Sequence, residues 1–356
     1  MAPVTRSHDD FAAICTEKLP VQTLRDLFRY TKSSVTLVAS QDFSVLLTDK
    51  AEDLSKLDSV EEFTDTSLGN YEDVERFLKL ATQTTGIKTT GFVFLDRGTA
   101  NDGTTCCITI DGRQDKNAAS GWIGFRCDFA SIVPALEALE RGVSVVELRN
   151  QSAMAGGVWR EDRVRVQLER TSPLDTSKFP RHDDWKPVFV DGPDLQYTVF
   201  RTAKISNQTL NKFLERAYDH EWSSAIDPRV AFITKLTPPF TDGLADPPLA
   251  SAPGFAEDLC GAKPSDCDAI VRSCFMDNTL SPKLDRHRFI IMDEFTETDE
   301  TVIMALNFER NGQLILVRSD FENGFLTLMA PGQTGSSMDS FADEASISPL
   351  GVWRAK

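Results

Sequence analysis

One ordered series of motifs occurs twice along this chain, and a repeat of that kind constrains the architecture before any single element does. Gln22-Thr23-Leu24 opens a stretch with apolar residues at Leu24, Leu27 and Phe28; Gln208-Thr209-Leu210 opens another, with Leu210, Phe213 and Leu214 at the same spacing. Apolar residues at i, i+3 and i+4 lay one stripe along a helix. Each stripe precedes a β-rich run, Val35-Thr36-Leu37-Val38 in one place and Val230-Ala231-Phe232-Ile233 in the other. An aromatic with turn-forming neighbours follows each run, in Asp42-Phe43-Ser44 and Phe240-Thr241-Asp242. Phe92-Val93-Phe94-Leu95-Asp96 then matches Phe289-Ile290-Ile291-Met292-Asp293, and residues 105–110 match 301–306. Arg126-Cys127-Asp128-Phe129 matches Arg318-Ser319-Asp320-Phe321, and Gly157-Val158-Trp159-Arg160 matches Gly351-Val352-Trp353-Arg354. The order is collinear, and the offset runs only from 186 residues (Gln22 to Gln208) to 197 (Asp96 to Asp293).

The repeat predicts an α+β fold of two tandem homologous modules, each a mixed, mostly antiparallel sheet with flanking helices. Each module reads helix, strand, loop, helix, three strands and a closing segment that ends in Val-Trp-Arg. A chain of 356 residues is long for one core and comfortable for two. In the first copy, Asn70 as N-cap, Asp73, and the stripe Val74, Phe77, Leu78 and Ala81 predict the middle helix. Pro264 interrupts the matching stretch 254–278 and predicts two shorter helices there. The short polar connections 98–103 and 111–120 predict antiparallel neighbours, because parallel strands need a longer crossover. The apolar runs at Phe92 and Phe289 do not alternate, which predicts strands covered on both faces. The boundaries that follow are an N-terminal extension 1–19, a first module 20–160, a connector 161–205 and a second module 206–356. Four prolines, Pro173, Pro180, Pro187 and Pro193, and a β-like run at 164–168 mark the connector as structured rather than a flexible tether.

Charge narrows the partners. Fifty-four acidic residues against 38 basic ones give a formal charge of −16, a field that repels nucleic-acid phosphates and anionic lipid. The densest basic cluster, Arg286-His287-Arg288, is flanked by Asp285 and Asp293, so no local stripe overrides that field. Nucleic acid and membrane surfaces are excluded as expected partners; a small molecule or a basic protein remains. No apolar run reaches the roughly 20 residues of a membrane span, and residues 1–11 lack the apolar core of a signal peptide. The expected location is cytoplasmic, with the seven cysteines as reduced thiols. Cys106 and Cys107 are neighbours in a β-like run and are expected to face opposite sides of the strand.

These motifs resemble an uncharacterised domain family of filamentous fungi and actinobacteria. Asp42-Phe43-Ser44, Asp96 and Asp293 fit its pattern, and the best match is Met338-Asp339-Ser340-Phe341-Ala342-Asp343 with Gly351-Val352-Trp353-Arg354. The second copy departs at its first turn, where Pro238-Pro239-Phe240 replaces the Asp-Phe pair. The resemblance covers both modules but not the connector. It implies a fungal origin for the doubled form and brings no activity with it.

The motifs of familiar chemistry are missing from the sequence: no Gly-x-Gly-x-x-Gly, no phosphate loop ending in Gly-Lys-Ser/Thr, no Gly-x-Ser-x-Gly and no His-Glu-x-x-His. No cofactor and no metal are expected. His8 falls in the N-terminal extension, and His182 with Asp183 in the connector; His220 reads as a cation closing the second copy's first helix. Cys260, Cys267 and Cys274 recur every seven residues, wider than zinc ligands are usually paired, and read as small core residues. Arg126 beside Cys127 could lower that thiol's pKa, but the other copy has Ser319 there.

The residues singled out are those identical in both copies: Asp96 and Asp293, Arg126 and Arg318, Asp128 and Asp320, Trp159 and Trp353, Arg160 and Arg354. A structural reading makes them a charge-assisted Asp–Arg network that ties strand ends together and seats the closing Trp-Arg segment. A functional reading places them around a cleft between the modules, where arginine could grip a carboxylate or phosphate. Three function classes follow: a binding protein using that cleft or the acidic surface, a cofactor-independent enzyme such as an isomerase or cyclase, and a purely structural role.

Overall fold

The structure is a computed structural model. It describes residues 11–15, 19–31, 35–41, 44–48, 88–111, 122–179, 196–218, 229–237, 240–243, 245, 247–276, 284–307, 314–324, 341–342, 345, 348 and 351–354. The chain divides into two compact units, residues 1–165 with 346–351 and residues 166–345 with 352–356.

In the first unit, β1 (Phe11–Cys15) leads into helix α1 (Val21–Thr31), then β2 (Val35–Gln41) and β3 (Ser44–Thr48). Next come β4 (Lys88–Leu95), the short helix α2 (Arg97–Asp102), β5 (Thr105–Asp111) and β6 (Trp122–Asp128). Helices α3 (Ile132–Glu140), α4 (Val145–Met154) and α5 (Glu161–Glu169) follow, with the division between units falling inside α5. The sheet order is β3-β2-β1-β4-β5-β6. β1 runs parallel to β2 on one side and to β4 on the other, while the remaining neighbours are antiparallel. The chain thus leaves β1 toward β2 and returns across it to β4. That reversal opens the carboxyl ends of the parallel strands, the usual place for a ligand in such sheets. Leu24, Leu27 and Phe28 of α1 pack with Val93, Leu95, Ile108, Phe125, Ile132 and Leu136 to form the core.

The second unit contains β7 (Gln196–Arg201), α6 (Asn207–Tyr218), β8 (Arg229–Phe232), α7 (Pro264–Met276), β9 (Leu284–Met292), α8 (Thr296–Asp299), β10 (Thr301–Asn307) and β11 (Leu314–Asp320). The sheet order is β11-β10-β9-β7-β8. β7 is parallel to both β8 and β9, and β9, β10 and β11 pair antiparallel. Leu210, Phe213 and Leu214 of α6 are buried against Val199, Ile290, Met292 and Phe321.

Several expectations change. β1 falls in what reads as an N-terminal extension, and β7 in what reads as connector. Both are short apolar runs without alternation, which periodicity alone does not separate from other buried segments. Adding them makes the sheets more evenly mixed than expected: among the described residues, three antiparallel pairings stand against two parallel in the first sheet, and two against two in the second. Residues 164–168 are helical, inside α5, not β-like; Glu161 and Asp162 occupy its first turn, where the helix dipole favours acids. The connection at 98–103 holds α2, because Asp96 caps it. Pro264 is the first residue of α7, where its missing N–H costs nothing, and a single 3-10 turn (Glu257–Leu259) precedes it. The Asn70 helix lies outside the described residues. Phe92, Val93, Phe94 and Leu95, and likewise Phe289, Ile290, Ile291 and Met292, are buried, as expected for strands covered on both faces. No described helix is long and apolar enough to cross a membrane.

Candidate functional site

Asp96 closes β4 and begins α2, so one side chain serves both. Its carboxylate accepts from the Thr99 backbone N–H at 3.0 Å, while the Thr99 hydroxyl accepts from the Asp96 N–H at 3.1 Å. This is a capping box with threonine in the third position. Arg126, two residues from the end of β6, sends Nη1 to both Asp96 oxygens at 2.7 Å. Its Nε donates to the Thr105 hydroxyl at 2.8 Å, at the start of β5. Thr105 in turn donates to Asp102, whose other oxygen accepts the Thr104 and Thr105 N–H groups at 2.8 and 2.9 Å. Three strand ends and one helix are thereby tied by one guanidinium, whose side chain is 0% exposed. Burial works against the Arg126 charge, but Asp96 outweighs it and holds the guanidinium more firmly protonated than usual.

The second unit builds the same knot. Asp293 receives Arg318 Nη1 at 3.3 Å and Nη2 on its other oxygen, and Arg318 Nη1 also donates to the Thr301 hydroxyl at 2.9 Å. The Asp293 N–H donates to the Thr296 hydroxyl at 3.0 Å. The knots differ in the nitrogen that reaches the threonine, Nε on Thr105 and Nη1 on Thr301, and in what lies against the guanidinium. Gly98 lets the Arg126 guanidinium lie against the chain, where a Cβ would overlap it. Phe295, which stands two residues after Asp293 as Gly98 does after Asp96, puts its ring 5.1 Å from the Arg318 guanidinium.

The closing segments dock alike. The Trp159 N–H donates to the Arg126 carbonyl at 2.8 Å, and the Trp353 N–H to the Arg318 carbonyl at 2.8 Å. Trp159 Nε1 donates to Gln151 at 3.0 Å, and the Trp353 ring packs edge-on against Phe341, centroids 4.7 Å apart. Arg160 meets Asp128 and Arg354 meets Asp320, each at 3.3 Å. Asp128 caps the turn that follows it through the Ser131 N–H at 3.0 Å; Asp320 does so through the Asn323 N–H at 3.0 Å. All ten residues picked out by the repeat therefore come together, five in each unit, along the carboxyl edge of the parallel strands. Thr99, Thr105, Thr296 and Thr301 belong with them and escape the motif comparison, although Asp-x-x-Thr recurs in both copies. Within each knot the arginine is spent on its own unit's carboxylate, and a ligand would have to displace that carboxylate to reach it. Only Arg160 and Arg354, 30% and 57% exposed, reach water freely.

The cysteines offer no nucleophile at this edge. Burial pushes the Cys127 thiol up, and Cys106 likewise, so the neighbouring Arg126 does not make Cys127 a thiolate. Cys106 joins the core and Cys107 lies on the opposite, also buried, face. Of the seven-residue cysteine series, Cys260 is exposed and Cys267 buried. No group of three His, Cys, Asp or Glu residues among the described ones is arranged to hold a metal. His8, His182 and His220 lie outside the described residues. His287 is buried beside an ion pair, Asp285 with Arg288 at 2.5 Å, and Asp285 also accepts the His287 N–H at 2.8 Å.

The two carboxyl edges differ at the end of the central strand. Cys15 pairs in register with Leu95 and Arg201 with Met292, so the two residues occupy the same place in their sheets. Cys15 sits in the apolar core, its thiol pushed up to about 12 by burial. Arg201 is 2% exposed and pairs with no carboxylate among the described residues. Its Nη2 donates to the carbonyls of Pro253, at 3.0 Å, and Gly254. The rings of Phe232 and Phe255 lie 5.6 and 5.3 Å from its guanidinium carbon, and its Nε is buried without an acceptor. Arg201 has Cys15 in its place in the first unit, so identity between the two motif series does not reach it. No protein-family model matches the chain, and neither does any curated protein or solved structure.

Proposed function

We propose that this chain is a small-molecule binding protein built by duplication of one α+β module, with its ligand site in the second copy. Two kinds of observation support the duplication: the collinear motifs, and the recurrence of a β-strand flanked by two parallel neighbours with an Asp–Arg–Thr knot at its carboxyl edge. Membership in the fungal and actinobacterial domain family belongs to the same proposal and rests on the motifs that carry it. A cytoplasmic setting does too, supported by the six described cysteines carried as thiols.

The observation that carries the binding function is the pair Cys15 and Arg201. Where duplicated modules keep a residue, a shared structural need is sufficient reason. Where one copy exchanges a core thiol for a buried cation, stability is not the reason, since removing a charge from water costs several kcal/mol that two carbonyls and two rings only partly offset. Ligands of sheets with a parallel centre bind at this edge. The test is native mass spectrometry of the full chain purified from its own host. An adduct of a few hundred daltons is expected; protein at its bare mass, with no metabolite in a thermal-shift library raising Tm, would overturn the proposal.

A further inference from the structure

We infer that the carboxyl end of β7 is an oxyanion site, in which Arg201 receives the carboxylate or phosphate group of a small molecule. The inference rests on the binding function proposed above and deepens it.

Arg201 has five N–H donors to place. Nη2 is committed to the Pro253 and Gly254 carbonyls. Nε is buried with no acceptor among the described residues, and Nη1 donates to none of them. A guanidinium cannot discharge itself to escape this position. Four other buried arginines have an anion within their unit: Arg126 has Asp96, Arg318 has Asp293, Arg288 has Asp285 and Arg272 has Asp268. Asp242, beside Gly254, is no substitute, because it stands 3.8 Å from Lys235. Burial lowers the Arg201 pKa with no carboxylate opposing the effect. The site therefore has a fixed cation, two unspent kinds of donor and a half-buried Phe255 beside them. An oxyanion supplies what is missing: a charge-assisted acceptor in surroundings that water does not screen.

The experiment uses the full chain, titrated calorimetrically with inorganic phosphate and with succinate, ionic strength being held constant with chloride. Wild type is compared with Arg201→Lys and Arg201→Met, and the Nε–Hε resonance of Arg201 is followed by NMR in the wild type. At least one probe is expected to saturate a single site, to bind at least tenfold more weakly to Arg201→Met, and to move the Nε resonance along the same isotherm. Saturation unchanged in Arg201→Met, or no saturation with either probe, overturns the inference. If Arg201→Met does not fold, the wild-type resonance decides: a resonance that stays put during saturation also overturns it. An uncharged host ligand retained equally by Arg201→Lys would leave the binding function standing and remove the oxyanion site. Phosphate binding at Arg201 without any host-derived adduct would do the reverse.

Discussion

The first unit's central strand ends in Cys15 and the second unit's in Arg201, although the strands on either side of them follow one plan. Three strands along each sheet, on β6 and β11, Arg126 and Arg318 close closely similar knots. The difference teaches how to separate architecture from function in two units of like plan. A buried arginine matched by an aspartate, and present in both copies, satisfies the sheet. Arg201, buried with no acid among the described residues, is what the proposed ligand would satisfy.

The comparison breaks hardest at the knots. Arg126→Ala leaves Asp96 without its cation, and Arg318→Ala leaves Asp293 likewise; each is expected to cost about 3 kcal/mol or more of its unit's stability. Urea unfolding followed by hydrogen exchange within each unit checks this, and equal losses in both units are the expected outcome. A sharper contrast comes from what lies against each guanidinium. Gly98→Ala drives a methyl into the Arg126 guanidinium and should cost about 1–3 kcal/mol through overpacking. Phe295→Ala instead removes a ring from Arg318 and should cost about 1 kcal/mol beyond the area it exposes. Thermal unfolding of both variants decides whether the two units reach the same end by different packing.

The smallest expected effect is at the turn behind α2 and α8. Gly103 holds a positive φ of 68° and Glu300 a positive φ of 53°, a conformation that costs a residue with a side chain roughly 1 kcal/mol. Glu300 is kept there by Lys212 and Arg216, the latter at 2.7 Å. Its hydrogen bond from Lys212 comes first among the causes that depress its pKa. A carboxylate depressed in the folded state adds stability above its unfolded pKa and loses it as the pH falls through the folded value. Glu300→Gly should therefore be close to neutral at pH 7, within about 0.5 kcal/mol, since exposed pairs contribute little. In acid, below the depressed pKa, the glycine variant should become the more stable of the two, as urea midpoints at both pH values would show.

Much of the fold can be read before any coordinates, because amphipathic helices and the closing Trp-Arg segments repeat with their spacing intact. Leu24, Leu27 and Phe28 announce α1, and Leu210, Phe213 and Leu214 announce α6. The central strands are not legible in the same way. Phe11-Ala12-Ala13-Ile14-Cys15 is too short and too uniformly apolar to show a period, yet it fixes the parallel centre of its sheet. Val164-Arg165-Val166-Gln167-Leu168 shows the opposite failure: it alternates like a strand and folds as a helix, with Val166 exposed. Identity between the two motif series leads directly to Asp96, Arg126 and their partners, because a knot of three strand ends tolerates few substitutes. Arg201 becomes visible only when register shows that it replaces Cys15, and when its hydrogen bonds show what it lacks.

The most direct measurement is the apo stability of Arg201→Met beside that of Arg318→Met, in the same unit and by the same denaturant titration. If Arg318 is architecture and Arg201 serves a ligand, Arg318→Met loses about 3 kcal/mol or more while Arg201→Met stays within about 1 kcal/mol of wild type. Equal and large losses would make Arg201 one more structural tie and contradict the division of roles between what the units share and where they differ.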